Sequence, residues 1–421
     1  MGLGVVGSGV ARALLERGAA YGREVGCPLR LVRILEREPE RERPVRVGPA
    51  LFTQDVQDIV GDAGIDVVIE VLGGEHPAYE YQRLALEAGK YVVTANKEVI
   101  AKHGVDLQAV ACEHGVDVLY EASVGGGIPI IAPLKSDLLA NEITAVSAII
   151  NGTTNYILTS MSREGSDFEP ALRRAQELGY AEANPANDIE GMDATYKLAI
   201  LASLAFHTDV RPENVYREGI TRLSARDFRY ARELGYVIKL LALARKQDGQ
   251  LQVRVHPALL HEEELLAKVD GVLNAVQVEG DLVGRVLFQG QGAGSLPTSS
   301  AVVADVMEAA RRIVRGPAER LSPPSRQTVS IRPMSDLRTR YYVRMVVVDT
   351  PGVLASIARI LGDNQISIGS VIQKEADPKA RTAEIVIMTH EAREEAVQQA
   401  LREMERLPVV AEIGNFLRVE G

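Results

Sequence analysis

The sequence predicts an α/β protein: a doubly wound parallel sheet first, then an α+β domain, then a small β-α-β-β-α-β domain. Three observations predict this. Gly2-Leu3-Gly4-Val5-Val6-Gly7 spells G-x-G-x-x-G ahead of a helical pattern that ends at Gly18. Short apolar runs then alternate with helical runs as far as Pro129, and the alternation stops from Ile130 onward. Beyond a proline-rich stretch, the residues from Tyr341 read strand, helix, strand, strand, helix, strand.

Glycines in this order permit a tight turn and close backbone approach to a pyrophosphate, while the following helix N-terminus adds partial positive charge. A Rossmann-like dinucleotide-binding domain over residues 1–129 is therefore expected. Strands fall at Leu29 to Leu35, Asp66 to Leu72, Tyr91 to Thr94 and Asp117 to Tyr120, with helices at Tyr79 to Ala88 and Val105 to His114. Such alternation implies a parallel sheet covered on both faces. Met1 stands directly before the fingerprint, so the strand of about five or six residues that should precede the turn is largely missing. Several upstream residues are expected to have been lost, leaving strand edges unpaired. Normal cofactor affinity and stability of residues 1–421 alone would refute this.

Cofactor choice turns on Glu36 and Arg37, which end the second strand. An acidic residue there accepts from a ribose 2′-hydroxyl and an arginine neutralises a 2′-phosphate, so NAD and NADP both stay open. Gly73-Gly74, and Thr94-Ala95-Asn96 before a helix beginning at Lys97, lie at the carboxyl edge of the sheet, where ligands bind in open α/β folds.

At 421 residues the chain is long enough for two or three domains. Its net charge of -10, with no long basic run, argues against a nucleic-acid partner and favours a small-molecule substrate. Cys27 and Cys112 form no C-x-x-C, which fits a reducing cytoplasm. The N-terminal apolar stretch is interrupted by Arg12 and Glu16, unlike a signal peptide, and no 18-residue apolar run suggests a membrane span.

After Ile130, strand-like runs at Ile143 to Ile150, Leu251 to His256, Ala275 to Val278 and Val286 to Phe288 are separated by longer helices, including Met192 to Phe206 and Ala231 to Ala244. This predicts an α+β domain over residues 130–297. At the boundary, Glu121 and the glycine-rich run to Pro129 offer one carboxylate and several carbonyls, a set that suits a hard cation or simply a hinge. Asn151-Gly152-Thr153-Thr154-Asn155 joins a strand to a helix, and Gly290-Gln291-Gly292-Ala293-Gly294 precedes another. The richest segment is AQELGYAEANPANDIEGMDATYK, Ala175 to Lys197. It gathers Glu177, Glu182, Asp188, Glu190, Asp193 and Lys197 just before the apolar run LAILASLAF. Asp193 and Lys197 stand four apart, on one helix face. A lysine at the start of so apolar a helix is expected at the edge of a cleft.

The order A-x3-G-Y-A-x2-N-P-x2-D-I-x-G-x-D-x3-K over those 23 positions closely resembles the signature of homoserine dehydrogenases. Asn184 departs from the aspartate common there, at a turn position where the two serve nearly alike. The resemblance implies oxidation and reduction between L-homoserine and L-aspartate 4-semialdehyde with NAD or NADP, in threonine, methionine and isoleucine biosynthesis. It implies catalysis by Lys197, the general acid, and Lys97. Substrate would be held by Glu182, Asp188 and Asp193, and cofactor by Gly4, Val5, Val6, Gly7, Thr94, Lys97, Gly179 and Gly292. A structural sodium-like ion is implied at Glu121 and the carbonyls of Val124, Gly126 and Ile128. Residues 130–297 would bind substrate and dimerise, with a helix near 298–315 packing back on the first domain. Residues 316–340 would form a linker. Residues 341–421, with D-T-P-G-V-L, resemble an ACT domain, which implies an amino-acid effector, threonine being expected. An aspartate-semialdehyde dehydrogenase would need a nucleophilic cysteine in a glycine-rich turn, and neither cysteine is so placed. The alternative is a catalytically silent amino-acid sensor, against which the intact Lys97 and Lys197 count. An aspartate kinase fusion is set aside, because the chain opens on the dinucleotide fold.

Overall fold

The computed structural model describes residues 1–316, 329–377 and 381–421. In chain order the first part runs α1 (Val5–Val25), β1 (Ile34–Leu35), β2 (Phe52–Thr53), α2 (Gln57–Val60), β3 (Val67–Glu70), α3 (Ala78–Glu87), β4 (Tyr91–Thr94), α4 (Lys97–His114), β5 (Val118–Leu119), α5 (Ile131–Lys135) and β6 (Ile143–Ile149). Helices α6 (Gly152–Glu164), α7 (Phe168–Glu177), α8 (Ala186–Ile189) and α9 (Met192–Ala205) come after it. Next are β7 (Tyr216–Arg217), α10 (Ala225–Glu233), β8 (Tyr236–Gln247), β9 (Gln250–His261), β10 (Leu273–Gly280), β11 (Gly284–Gln291) and α11 (Ser295–Arg315). The last part holds β12 (Ser330–Ile331), β13 (Arg338–Val348), α12 (Val353–Asp363), β14 (Ile368–Asp377), β15 (Thr382–Thr389), β16 (Ala392–Arg393), α13 (Glu394–Met404) and β17 (Val410–Glu420).

The chain forms two compact units. One takes residues 1–152, 194–215 and the described residues of 273–329; the other takes 153–193, 216–272 and the described residues of 330–421. In the first unit β3, β4 and β5 form a parallel sheet, with Val67 opposite Tyr91 and Val92 opposite Val118. Val93 and Leu119 of this sheet share a core with Val10 of α1 and with Val302 and Val306 of α11. Strand β10 pairs antiparallel with β6 on one side and with β11 on the other.

The glycine turn differs from expectation in its helix, which does not stop at Gly18. It continues to Val25 and is capped by Gly26 at φ 85°. Gly18 and Gly22 lie where a Cβ would approach the carbonyl oxygens of Leu29 and Cys27 to 3.1 and 2.8 Å, so they serve close packing and not termination. Of the expected strand Leu29 to Leu35, just Ile34–Leu35 pairs, in parallel with β2. A slot lies alongside it. Met1 donates its terminal nitrogen to the Ile69 carbonyl (2.6 Å) and Gly2 donates to the Leu35 carbonyl (3.0 Å), so residues 1–3 bridge one end of it. Beyond them a cavity of about 370 Å³ lies between residues 29–34 and 65–69.

In the second unit β8 and β9 form a long antiparallel ribbon, Tyr236 opposite His261. The helix expected at Ala231 to Ala244 is instead the end of α10, which stops before Gly235, at φ 79°. From Tyr236 to Gln247 the chain is strand β8. Its middle is buried on both faces, so no alternation of apolar and polar residues marks it, and such a run cannot be told from a buried helix by periodicity. Along the other edge of β9, β17 pairs in parallel, Arg418 opposite Ala258, and the sheet continues through β13 and β15 to β14. These four strands with α12 and α13 make the β-α-β-β-α-β domain around Val343, Met345, Ile357, Leu361, Val397 and Leu401. Most of the expected linker 316–340 lies outside the described residues or forms short structure: its described end carries β12, which pairs with β9.

Candidate active site

In the first unit the glycine turn presents a helix N-terminus. Gly4 is the N-cap, a Cβ there would meet nothing within 4 Å, and Val5 and Val6 open the helix. At Gly7 a Cβ would come within 2.2 Å of the Gly2 carbonyl oxygen, so a side chain would break the turn. Helix α11 braces this turn: Ser295 Oγ donates to the Val5 carbonyl (2.9 Å) and Ser299 Oγ to that of Val6 (3.2 Å). Glu36 accepts from the Leu3 amide (2.9 Å) and lies 3.4 Å from the Arg43 guanidinium. Burial opposes its ionisation, yet the amides of Leu3 and Glu38 and the Arg43 charge hold the carboxyl below its usual range.

At the carboxyl edge, Thr94 is buried. Its hydroxyl donates to Glu70 (2.8 Å) and accepts from the Asn96 amide (2.9 Å), so the side chain shapes the corner from inside. Asn96 caps α4 by accepting from the Val99 amide and donates to the Gly74 carbonyl (2.7 Å). Lys97 is thereby fixed as the first residue of α4. Lys197 lies on α9, and its Nζ donates to the Ile150 carbonyl at 2.8 Å, directly before Asn151-Gly152.

Gly126 and Gly292 meet closely in this unit. A Cβ on Gly126 would come within 2.5 Å of the Gly292 carbonyl oxygen, and one on Gly292 within 2.0 Å of Asn274 Oδ1. Glu121 accepts from the amides of Ile130, Ile131 and Ala132 at 2.6, 2.8 and 2.7 Å, which neutralises the start of α5. Asp305 accepts from the Glu121 amide (2.8 Å), and burial raises its carboxyl to about 7. With the carboxylate so engaged, a cation here would rest mainly on the carbonyls of Val124, Gly126 and Ile128. That donor set fits a singly charged hard ion better than a transition metal. Among the described residues no group of three or more His, Cys, Asp or Glu could hold a metal ion.

In the second unit the segment before α9 is held by its own turns. Asn184 Oδ1 accepts from the Ala186 amide (3.3 Å), within the turn expected at that position, and Gly191 donates to the Asp188 carbonyl (2.9 Å). Thr153 Oγ1 donates to the Tyr180 carbonyl (2.7 Å), joining the N-G-T-T-N run to this segment. Gly179 and Glu182 are exposed, Asp188 is half-buried and Asp193 is buried. Asn155 is a core residue whose amide donates to the Val269 carbonyl. Glu177 and Glu190 face solvent.

Sequence reasoning passes over one cluster beside these lysines. Glu75, after Gly73-Gly74, pairs with Lys102 (2.6 Å) and His103 (2.8 Å); Lys102 also pairs with Glu98 (2.7 Å), which accepts from the Tyr196 hydroxyl (3.3 Å). Bonds to Lys102 and His103 hold the Glu75 carboxyl down at about 2. The available signal is Glu98-x3-Lys102 at helical spacing, which read alone is an ordinary surface pair.

A parallel sheet with an open glycine turn and Lys97 at its carboxyl edge defines the class: a nicotinamide-dependent oxidoreductase carrying a ferredoxin-like C-terminal domain. Family models for homoserine dehydrogenase, for its NAD-binding domain and for the ACT domain match residues 129–307, 2–121 and 341–409. The homoserine dehydrogenase of Neisseria gonorrhoeae is 42% identical over 426 residues, covering 100% of this chain and 98% of the relative. That of Synechocystis is 43% identical, with 100% and 98% covered. The crystal structure of a homoserine dehydrogenase from Thiobacillus denitrificans superposes with a TM-score of 0.92 at 42% identity, covering 100% of this chain and 96% of that one. A hyperthermophilic archaeal homoserine dehydrogenase in complex with NADPH gives a TM-score of 0.63 at 28% identity, with 76% and 98% covered. The chain belongs to the homoserine dehydrogenase family, NAD(P)-dependent oxidoreductases acting on a CH-OH group. Among the described residues no helix is long and apolar enough to cross a membrane.

Proposed function

We propose that the chain interconverts L-homoserine and L-aspartate 4-semialdehyde with NAD or NADP. The observation that carries this is Lys197, which ends the family signature and is anchored on the Ile150 carbonyl at the head of an apolar helix. When bound, the nicotinamide supplies or takes the hydride. Lys197 gives a proton to the aldehyde oxygen in the reducing direction and takes one from the hydroxyl in the other. Lys97 polarises the same oxygen, Glu182 and Asp193 hold the ammonium and hydroxyl, and Asp188 orients lysine and substrate. Gly4 to Gly7, Thr94, Gly179 and Gly292 form the cofactor's surroundings. A sodium-like ion at residues 121–128 is structural in this reading. The ACT domain takes an amino-acid effector, threonine being expected, and the enzyme acts as a homodimer or larger homo-oligomer in the cytoplasm.

The test is a homoserine oxidation assay with NAD and NADP in parallel, with and without threonine. Turnover is expected with at least one cofactor, and none with either defeats the reading. Lys197→Ala should lower kcat by roughly 10²- to 10⁴-fold with its fold intact by circular dichroism, the range a positioned general acid contributes. Near-normal turnover would remove Lys197 from its role.

A further inference from the structure

We infer that Lys102, clamped between Glu75 and Glu98, is a positioning residue that sets where Lys97 and Lys197 stand. This rests on the roles proposed for the two lysines. The cluster joins three separate elements of one unit. Glu75 comes from the loop after β3, Glu98 and Lys102 from the first turns of α4, and Tyr196 from the first turns of α9. Lys97 is the residue before Glu98, and Lys197 is the residue after Tyr196. A bond through Glu98 and Tyr196 therefore ties the helical turns that carry the two lysines.

The cluster is more than a run of surface pairs. Lys102 satisfies two carboxylates from different elements, at 2.6 and 2.7 Å, and its ammonium lies 5.7 Å from the Tyr196 ring centroid. Glu75 spends its second oxygen on His103, whose ring stacks on Tyr79 at 4.2 Å. The same corner is fixed from behind by Asn96, bonded to the Gly74 carbonyl and the Val99 amide. At about one quarter exposed, Lys102, Glu75 and Glu98 lie shallow enough for their loss to leave the hydrophobic core intact. Their loss should instead let the two helix starts drift, and a misplacement of about 1 Å can cost roughly 10²-fold in rate.

The experiment compares Lys102→Met, Lys102→Arg and Tyr196→Phe with the parent in kcat, KM for homoserine and cofactor, and melting temperature. Lys102→Met is expected to lower kcat about tenfold or more, with KM for cofactor within about twofold and melting little changed. Lys102→Arg should restore most of the rate, because it keeps the cation between the carboxylates. Tyr196→Phe, which loses one hydroxyl, should lower kcat by more than about twofold but less than Lys102→Met does, and the double variant with Lys102→Met should show less than additive loss. A kcat for Lys102→Met within twofold of the parent overturns the inference, as does a loss that arginine does not restore. Should Lys102→Met fail to fold, Tyr196→Phe decides by the same kcat criterion. Lys197→Met measured alongside separates the two failures: if that variant turns over normally, the lysine assignment falls, whatever Lys102 does.

Discussion

Two charged clusters, one in each unit, are built from similar residue types and buried to different depths. Around Lys102 the partners are about one quarter exposed and the bonds run between helix starts and a loop. At the other, Arg418 and Glu394 are buried and Glu218 alone reaches the surface. The Arg418 guanidinium donates to Glu394 through Nε (2.9 Å) and Nη2 (2.6 Å), and to Glu218 through Nη1 (2.9 Å) and Nη2 (3.0 Å). Burial alone would lower its pKa, yet the bonds to Glu394 and Glu218 drive it upward. Arg254, on the paired strand β9, likewise meets Glu420 at 2.6 Å with both side chains buried. Arg418 ties the ACT domain to Glu218, just after β7, and Arg254 ties it to β9, and at both places a missing partner strands a charge out of water. The shallow cluster can lose a member to solvent, so it is suited to adjusting a site, whereas the deep one is suited to fixing a domain.

Arg418→Met is the strongest way to break this contrast. It leaves Glu218 and Glu394 without their partner, and removing one member of a buried pair costs about 3–5 kcal/mol. Chemical denaturation should show a loss of that order, against less than about 1 kcal/mol for Lys102→Met, which touches shallow pairs. Equal losses at the two sites would end the distinction. Arg418→Lys should recover little of the loss, because lysine lacks the two-sided fork that both carboxylates use.

A smaller effect sharpens the contrast through pH. His256 is fully buried beside Arg254, with Nε2 accepting from Arg254 Nε (3.2 Å) and Nδ1 donating to the Pro257 carbonyl (2.9 Å), so the ring is neutral. Burial, then the Arg418 charge, push its pKa down to about 3, while Glu420 opposes them. Between about 3 and the usual 6.5 the unfolded chain binds a proton that the folded chain does not. Stability from this group is complete above 6.5 and is lost as pH falls, by up to about 1.4 kcal/mol per pH unit. His256→Gln keeps one donor and one acceptor without titrating. Its unfolding free energy, measured from pH 7 to 4.5, should fall less steeply than the parent's. Parallel slopes would show that the imidazole does not contribute.

How far these regions can be read in the sequence depends on the range of their contacts. The glycine turn, the β-α alternation and the ACT pattern depend on spacing within a few residues; the helix start at Lys97 is marked by the cap Asn96, and that at Met192 by the apolar run LAILASLAF that follows. Strand β8 is hidden because burial of both faces erases its alternation. Glu75 and Lys102 are 27 residues apart, and Glu218 and Arg418 are 200 apart, so nothing local announces either pair. Glu121 is legible as a polar residue in a glycine-rich loop, but its three helix amides become visible only with the fold. In Ala175 to Lys197 the residue types are readable and their burial is not: Asp193 is inside and Glu182 outside.

The least disruptive variant tests whether depth, and not charge density, separates these clusters. Glu177 belongs to the same acid-rich segment as Asp188 and Asp193, yet it meets Arg174 at 3.2 Å with the two side chains 66% and 57% exposed. A pair so open, three residues apart on a helix, contributes about 0.2–0.5 kcal/mol, screened further by salt. Glu177→Gln should therefore shift the unfolding midpoint barely beyond error and leave kcat and KM for homoserine unchanged. A drop in turnover would place Glu177 among the working carboxylates and show that exposure in the free chain does not identify the bystanders of this segment.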